Sequence, residues 1–290
     1  MVGVSEYSII IGRDHRTVED IACFYDSDKH KQMREIGLSI IPTDNERMLS
    51  DMISEACSRI QQKPDIIFIA HSLPFIRRTG NDCILFNSKV PIYYLSGLPC
   101  VIMHRAIDIA CKMIQSHFYD SILVIGADKA YSDRERVFFG TVMGDAVVAL
   151  LLKSDTASHH ILSSQISTTI IAPDGENSSD EDILKFRSMN ANLMKNAIFD
   201  CMKKADLTDV DRFVTHTSNR KFWDTMSILM KCPRDKFLDD NIVQTGHMNS
   251  HDSFIHYFYY YEQKQICSGE ISMLINPGFG GSQGCTRIKS

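Results

Sequence analysis

The sequence predicts an α/β fold with mainly parallel sheets, arranged as two similar halves. Three observations lead there. Continuous apolar runs of strand length recur along the chain, and segments with apolar residues at helical spacing separate them. The alternation over residues 1–155 then begins again over residues 156–290, which suggests an internal duplication.

The elements follow in order. "EYSIIIG" (6–12) reads as a strand, and "NERMLSDMISEACSRIQQ" (45–62) as an amphipathic helix. "PDIIFIAHS" (64–72) is apolar throughout, as a strand covered on both faces is. Residues 100–117 form the next helix. "DSILVIGAD" (120–128) and "GDAVVALLLKS" (144–154) are two further buried strands. In the second half, "HHILSSQISTTIIAP" (159–173) reads as a strand and 174–182 as a polar linker. Residues 182–205 form an amphipathic helix, "VDRFVTHTS" (210–218) a strand, and 219–231 a helix. The segment 249–266 is helical. Its "YFYYYE" stretch fits a helix packed on all sides better than an aromatic cage. "EISMLINPG" (270–278) and "SQGCTRIKS" (282–290) close the fold as a strand pair.

Composition excludes several function classes. A formal net charge of -5 over 290 residues provides no electrostatic footprint for nucleic acid. No apolar run reaches the length of a membrane span. The opening "MVGVSEYSIIIGRDHRT" lacks the pattern of a secretory signal, and glycine in third place fails the myristoylation pattern. The nine cysteines form no CxxC pair, so they read as reduced thiols in a cytoplasm. No His/Cys spacing suits a structural zinc site, so neither a metal nor a resident cofactor is expected.

Four stretches carry chemistry. In "LSGLPCVIMHRAIDIACKMI" (95–114), Cys100 is placed at the first turn of a helix, where N–H groups and the dipole favour a thiolate. "THTSNRKFW" puts His216 and Asn219 at a strand end. "TGHMNSHDSF" puts His247, Asn249, His251 and Asp252 where a loop enters a helix. "NPGFGGSQG" is a glycine-rich turn after a buried strand. Strand ends are where α/β folds place ligand sites, and a thiol with nearby imidazoles has the parts of covalent catalysis.

On these residues the chain resembles the thiolase superfamily, and within it the β-ketoacyl-acyl-carrier-protein synthase III group. "PCVIMHRAIDIACKMIQSHFYDSILVIGAD" resembles that family's nucleophile helix and the strand after it. "FFGTVMGDAVVALLL" resembles its "FGDGAGA" segment, with Gly144 and Asp145 kept. "DRFVTHTSNRKF" resembles "HQANxRI", with His216 and Asn219 kept, and "NPGFGGSQG" resembles its terminal glycine turn. The resemblance implies a duplicated five-layer αβαβα sandwich, with halves at 1–155 and 156–290. It also implies acyl transfer through a thioester on Cys100. His216 would polarise the acyl or acceptor group, and backbone N–H groups of Cys100 and of Gly280 or Gly281 would hold the oxyanion.

Departures from the family pattern refine this expectation. Where the family has an asparagine in a "GN" pair, this chain has Gly246–His247, and the loop continues to Asp252. A His247/Asp252 pair suits removal of a proton from a hydroxyl or amine. The expected function is thus a ketosynthase III-like acyltransferase of specialised metabolism that serves a small-molecule acceptor. A decarboxylating condensing enzyme is the alternative, and a non-catalytic partner subunit a further one. Asp252 as a plain helix cap is the structural alternative for that residue. The family's "TGIxxR" is reduced to Gly37 without its arginine, while Lys221 falls where the family docks carrier protein. The acyl donor is therefore an acyl-carrier protein's phosphopantetheine thioester or a coenzyme A thioester. Asn219, Lys221, Asn249, Gly280 and Gly281 are the expected substrate contacts. The resemblance also implies a homodimer, with "FFGTVMGDAVVALLL" where the family pairs its sheets edge to edge.

Overall fold

The structure is a computed structural model that describes residues 1–22, 37–72, 90–138, 141–155, 158–202, 209–217, 220–241 and 245–290. Ten strands make its main sheet system. The first five are β1 (Val2–Ile11), β2 (Ile66–Ala70), β3 (Ile92–Leu95), β4 (Ser121–Asp128) and β5 (Ala146–Ser154). The last five are β6 (His160–Thr168), β7 (Arg212–Thr215), β8 (Phe237–Leu238), β9 (Ile271–Pro277) and β10 (Ser282–Lys289).

The two sets have one topology. The order in space is β1-β5-β4-β2-β3 in the first and β6-β10-β9-β7-β8 in the second. In each set the first two pairings are antiparallel and the last two parallel. The sets meet where Gly3 of β1 pairs with His160 of β6. The parallel ladders thus lie on the outer side of each half, and antiparallel strands join the halves at the centre.

Five helices complete the layers: α1 (Leu49–Ser58), α2 (Ile102–Gln115), α3 (Asp180–Met202), α4 (Arg220–Met230) and α5 (Asp252–Glu262). Leu49, Met52, Ile53, Ala56 and Cys57 of α1 recur at helical spacing and are buried. They share an apolar cluster with Ile67, Ile69, Leu123 and Ile125. The alternate residues Ile66, Phe68, Ile122 and Val124 face the opposite way, into a central cluster with α2 and α5. Leu274 and Val214 of the second half enter that same cluster, while Met273 and Phe213 point outward to Trp223 of α4 and Ile198 of α3. The layers therefore run helix, sheet, helix pair, sheet, helix pair. Each fully buried isoleucine or leucine adds about 1.5–3 kcal/mol of transfer free energy. The period-2 alternation sends that burial to both faces of each sheet.

The "YFYYYE" stretch lies in α5, with Tyr257, Phe258 and Tyr260 buried. Phe258 stacks on Tyr7 with ring centroids 3.8 Å apart. It is a packed helix. The polar linker expected at 174–182 gives way to α3 at Asp180. Strand β3, which the sequence reading passed over, is four residues long with intermediate or exposed side chains. It is one free edge of the sheet system, whereas β5 is interior, paired to β1 and β4. Residues 146–152 of "FFGTVMGDAVVALLL" therefore lie on an interior strand and not at an edge of the ten-stranded sheet.

Candidate active site

Cys100 does not lie in the first turn of its helix. It sits in the turn ahead of α2, whose first residue is Ile102. Its backbone is left-handed, with φ 64°. That region costs a non-glycine residue energy, so surrounding contacts must hold it. The Asn276 amide supplies one, donating to the Cys100 carbonyl at 2.9 Å. The glycine turn supplies another. A Cβ on Gly278 would lie 2.9 Å from the Pro99 carbonyl and 3.0 Å from Val101, so only glycine lets the turn pack this closely.

The loop before α5 brings the partners. His247 Nε2 is 3.6 Å from Cys100 Sγ, and His247 Nδ1 donates to Asp252 Oδ2 at 3.0 Å. All three side chains are buried. Asp252 is the first residue of α5, but its carboxylate does not cap the helix. It accepts from the Thr217 N–H at 2.7 Å and the Thr217 hydroxyl at 2.8 Å, besides His247. The cap alternative for Asp252 therefore falls. His216 completes the group, with its ring centroid 4.3 Å from that of His247 and its Nε2 3.9 Å from Asp252 Oδ2. Both His216 ring nitrogens are buried without a hydrogen-bond partner among the described residues.

The backbone of His247 is clamped. Its N–H donates to Val142 O at 2.8 Å, and its carbonyl accepts from the Gly144 N–H at 3.0 Å. The neighbouring Asp145 is buried and accepts from both Arg136 terminal nitrogens, at 2.7 and 2.8 Å. The Gly144–Asp145 pair thus fixes the strand end on which His247 rests. Thr217, Asn276, Gly278 and Arg136 escaped the sequence reading. Thr217 and Asn276 are short polar residues close to His216 and the glycine turn, Gly278 lies within that turn, and Arg136 left no local trace.

Electrostatics separates the two histidines. Burial pushes His247 down, but its hydrogen bonds with Asp252 and Cys100 outweigh that and raise its pKa to about 10. Burial also drives His216 well below 6.5, and the His247 charge adds to it. Burial would raise Asp252, yet the His247 hydrogen bond and the nearby imidazoles hold it below the usual carboxylate range. One imidazole therefore binds a proton tightly beside the thiol, while the other stays neutral.

The remaining expected contacts fall elsewhere. Gly280 and Gly281 face the Thr169–Ala172 segment, where their carbonyls accept from Ile171 and Thr169. The glycine beside the Cys100 turn is Gly278, and its N–H already donates to Ser282 O at 2.7 Å. Asn249 is buried with φ 53°, and its amide donates to the Met143 sulfur, so it serves the loop rather than a ligand. Lys221 is exposed on the first turn of α4. Asn219 lies outside the described residues. Among the described residues no helix is long and apolar enough to cross a membrane.

Comparison with known proteins agrees with this geometry. The family model "3-oxoacyl-[acyl-carrier-protein (ACP)] synthase III" matches residues 99–169, and the model of its C-terminal part matches residues 202–290. The β-ketoacyl-[acyl-carrier-protein] synthase III of Streptococcus uberis is 26% identical over 166 residues, 50% of this chain and 51% of that protein. The chain thus aligns with about half the length of that curated relative. Among solved structures, the 3-oxoacyl-[acyl-carrier-protein] synthase III of Aquifex aeolicus superposes with a TM-score of 0.82 at 16% identity, over 100% of both chains. ChlB3, described as an acyltransferase, superposes with a TM-score of 0.79 at 13% identity, over 99% of this chain and 97% of that one. At these identities the superpositions speak to the fold.

Proposed function

Because the chain belongs to the 3-oxoacyl-[acyl-carrier-protein] synthase III family of the thiolase superfamily, we infer that it is a thioester-dependent acyltransferase that passes its acyl group to a hydroxyl or amine. One observation carries this reading: the continuous relay from Cys100 Sγ through His247 to Asp252, with contacts of 3.6 and 3.0 Å. A thiol, an imidazole and a carboxylate in that order activate a nucleophile and then serve the acceptor as a base.

His247 takes the proton of the Cys100 thiol, its raised pKa favouring the imidazolium. The thiolate attacks the carbonyl of a carrier-protein or coenzyme A thioester, and the N–H of Cys100 holds the oxyanion. The tetrahedral intermediate collapses, and the departing thiolate takes the proton from His247. The acyl group is now on sulfur and His247 is neutral. Part of what raised its pKa came from Cys100, and acylation removes that part. His247 then removes a proton from the acceptor's O–H or N–H as that atom attacks. The ester or amide leaves, and the thiolate–imidazolium pair is restored. Asp252 fixes the His247 tautomer throughout.

A second reading keeps one specific support. His216 presents two unpartnered ring nitrogens next to His247. Two imidazoles over a thiol also suit a malonyl thioester, whose carbanion arises by loss of carbon dioxide. A second copy of the chain is the proposed partner, placed at the free β3 edge rather than at β5. Tyr93 and Tyr94 there are 55% and 40% exposed.

Intact-protein mass spectrometry with a panel of acyl thioesters, followed by single-turnover transfer, tests the assignment. The expected result is one acyl adduct on Cys100, discharged by alcohols or amines. An adduct discharged only by malonyl carrier protein, with carbon dioxide released, overturns it.

A further inference from the structure

The geometry points to a tridentate site for a zinc-like divalent ion, formed by Cys100, His216 and His247. It is independent of the acceptor proposed above, because it concerns only the resting thiol and the two imidazoles.

Ligand atoms of the three side chains lie within 4.8 Å of one another, and all three residues are buried. Among the described residues, no other trio of histidine, cysteine, aspartate and glutamate side chains gathers in this way. The spacing of one pair suits the ion, and the His216 nitrogen has to close in on it from within 4.8 Å. In a tetrahedral zinc site, bonds of ~2.3 Å to sulfur and ~2.05 Å to nitrogen leave about 3.6 Å between the two ligand atoms. Cys100 Sγ and His247 Nε2 are 3.6 Å apart. His216 provides a second, independent observation, since its buried ring nitrogens meet no hydrogen-bond donor or acceptor among the described residues. An orphaned imidazole of this kind is costly unless it meets a ligand.

The outer groups fit as well. Metal-bound histidines generally donate their other ring N–H to a carboxylate. His247 does so to Asp252 at 3.0 Å, and Asp252 is itself held by two Thr217 donors. One thiolate and two imidazoles prefer zinc or cobalt(II) over magnesium or calcium, which seek oxygen. Binding displaces the thiol proton, and any proton on His247, into solvent. No electrons move. Three protein ligands leave the fourth position to water. A filled site masks the nucleophile, so zinc acts as a reversible off-switch.

Cobalt(II) titration of the full chain tests this, read by the thiolate-to-cobalt charge-transfer absorption. The expected result is one equivalent bound, a thiolate band that zinc abolishes, and no response to magnesium. The band should vanish in Cys100→Ala and persist in Cys267→Ser, which removes the one exposed cysteine among the described residues. His216→Ala should weaken cobalt binding at least tenfold. If Cys100→Ala fails to fold, wild type alkylated at Cys100 and verified by mass replaces it, and must also lose the band. A missing band, a band that survives loss or block of Cys100, or unchanged affinity in His216→Ala overturns the site. Acyl loading of the metal-free protein is unaffected by any of these outcomes, so the two proposals fail separately.

Discussion

Replacing Asp252 by asparagine removes one charge and leaves the shape of the side chain. In the wild type three donors converge on this buried carboxylate: His247 Nδ1, the Thr217 N–H and the Thr217 hydroxyl. An asparagine has one oxygen for them, and its NH2 must face at least one donor. Each donor left buried and unpaired costs about 1–3 kcal/mol. The larger effect is electrostatic. A carboxylate 3.0 Å from an imidazolium, at an effective dielectric near 20, attracts it by roughly 5 kcal/mol. Together with the Cys100 contacts it lifts His247 to about 10 against its burial. In Asp252→Asn burial prevails, and His247 should fall below 6.5. The thiol then lacks its proton acceptor at neutral pH, and the acceptor lacks its base. Loading and transfer should both slow, and transfer should fall by about 10²–10⁴, the usual worth of positioned acid–base catalysis. Single-turnover transfer from pre-acylated enzyme measures it, with iodoacetamide alkylation of Cys100 against pH as the companion readout. A folded Asp252→Asn protein that transfers within threefold of wild type, with an unchanged alkylation profile, would refute the relay.

Two further outcomes follow from burial and charge. Cys111 is buried on α2 with its thiol pushed up to about 12, so Cys111→Ala should acylate normally while Cys100→Ala should form no adduct, as intact mass will show. Stability should fall on both sides of neutrality. Burial lowers His104 to about 4 and His251 to about 3, so between pH 6.5 and those values the unfolded chain binds protons that the folded chain refuses. Each costs roughly 3–5 kcal/mol by the lower end of that window. His247 is raised instead, so its contribution is full below 6.5 and is lost as pH climbs through about 10. Melting temperatures across pH 3–11 should form a dome whose alkaline limb shrinks in Asp252→Asn, and a flat profile from pH 6.5 to 4 would count against buried neutral histidines.

The parts legible in the sequence were those with a strong local pattern. The apolar runs of β2, β4 and β5 are covered on both faces, and their composition says so. The residues around Cys100, His216 and the 247–252 loop carried rare chemistry in short motifs. The rest depended on distance. β3 is four residues of mixed exposure, too short for periodicity to speak. The left-handed turn at Cys100 is held by Asn276, 176 residues away, and nothing local to either residue announces that bond. Within "GFGG" the three glycines look alike in sequence, and only the structure shows that Gly278 packs against Pro99 while Gly280 and Gly281 face Ala172 and Thr169.

The repeated strand order has a consequence for how the site is divided. Cys100 and Asn249 occupy matching places: each follows the third strand of its half, each has a left-handed backbone, and each lies two or three residues before a helix. Asn276 reaches both carbonyls, at 2.9 and 3.4 Å. His71 and His216 match likewise, each directly after the second strand of its half. The chain is thus two renditions of one blueprint pressed face to face, whose corresponding loops have been given unlike duties. The first rendition supplies the thiol, and the second the two imidazoles and the carboxylate beside it. Neither half is a smaller enzyme, because each holds what the other lacks. There is one such thiol per pair of halves, and any change in the 247–252 loop is felt at the thiol, because His247 lies 3.6 Å from it.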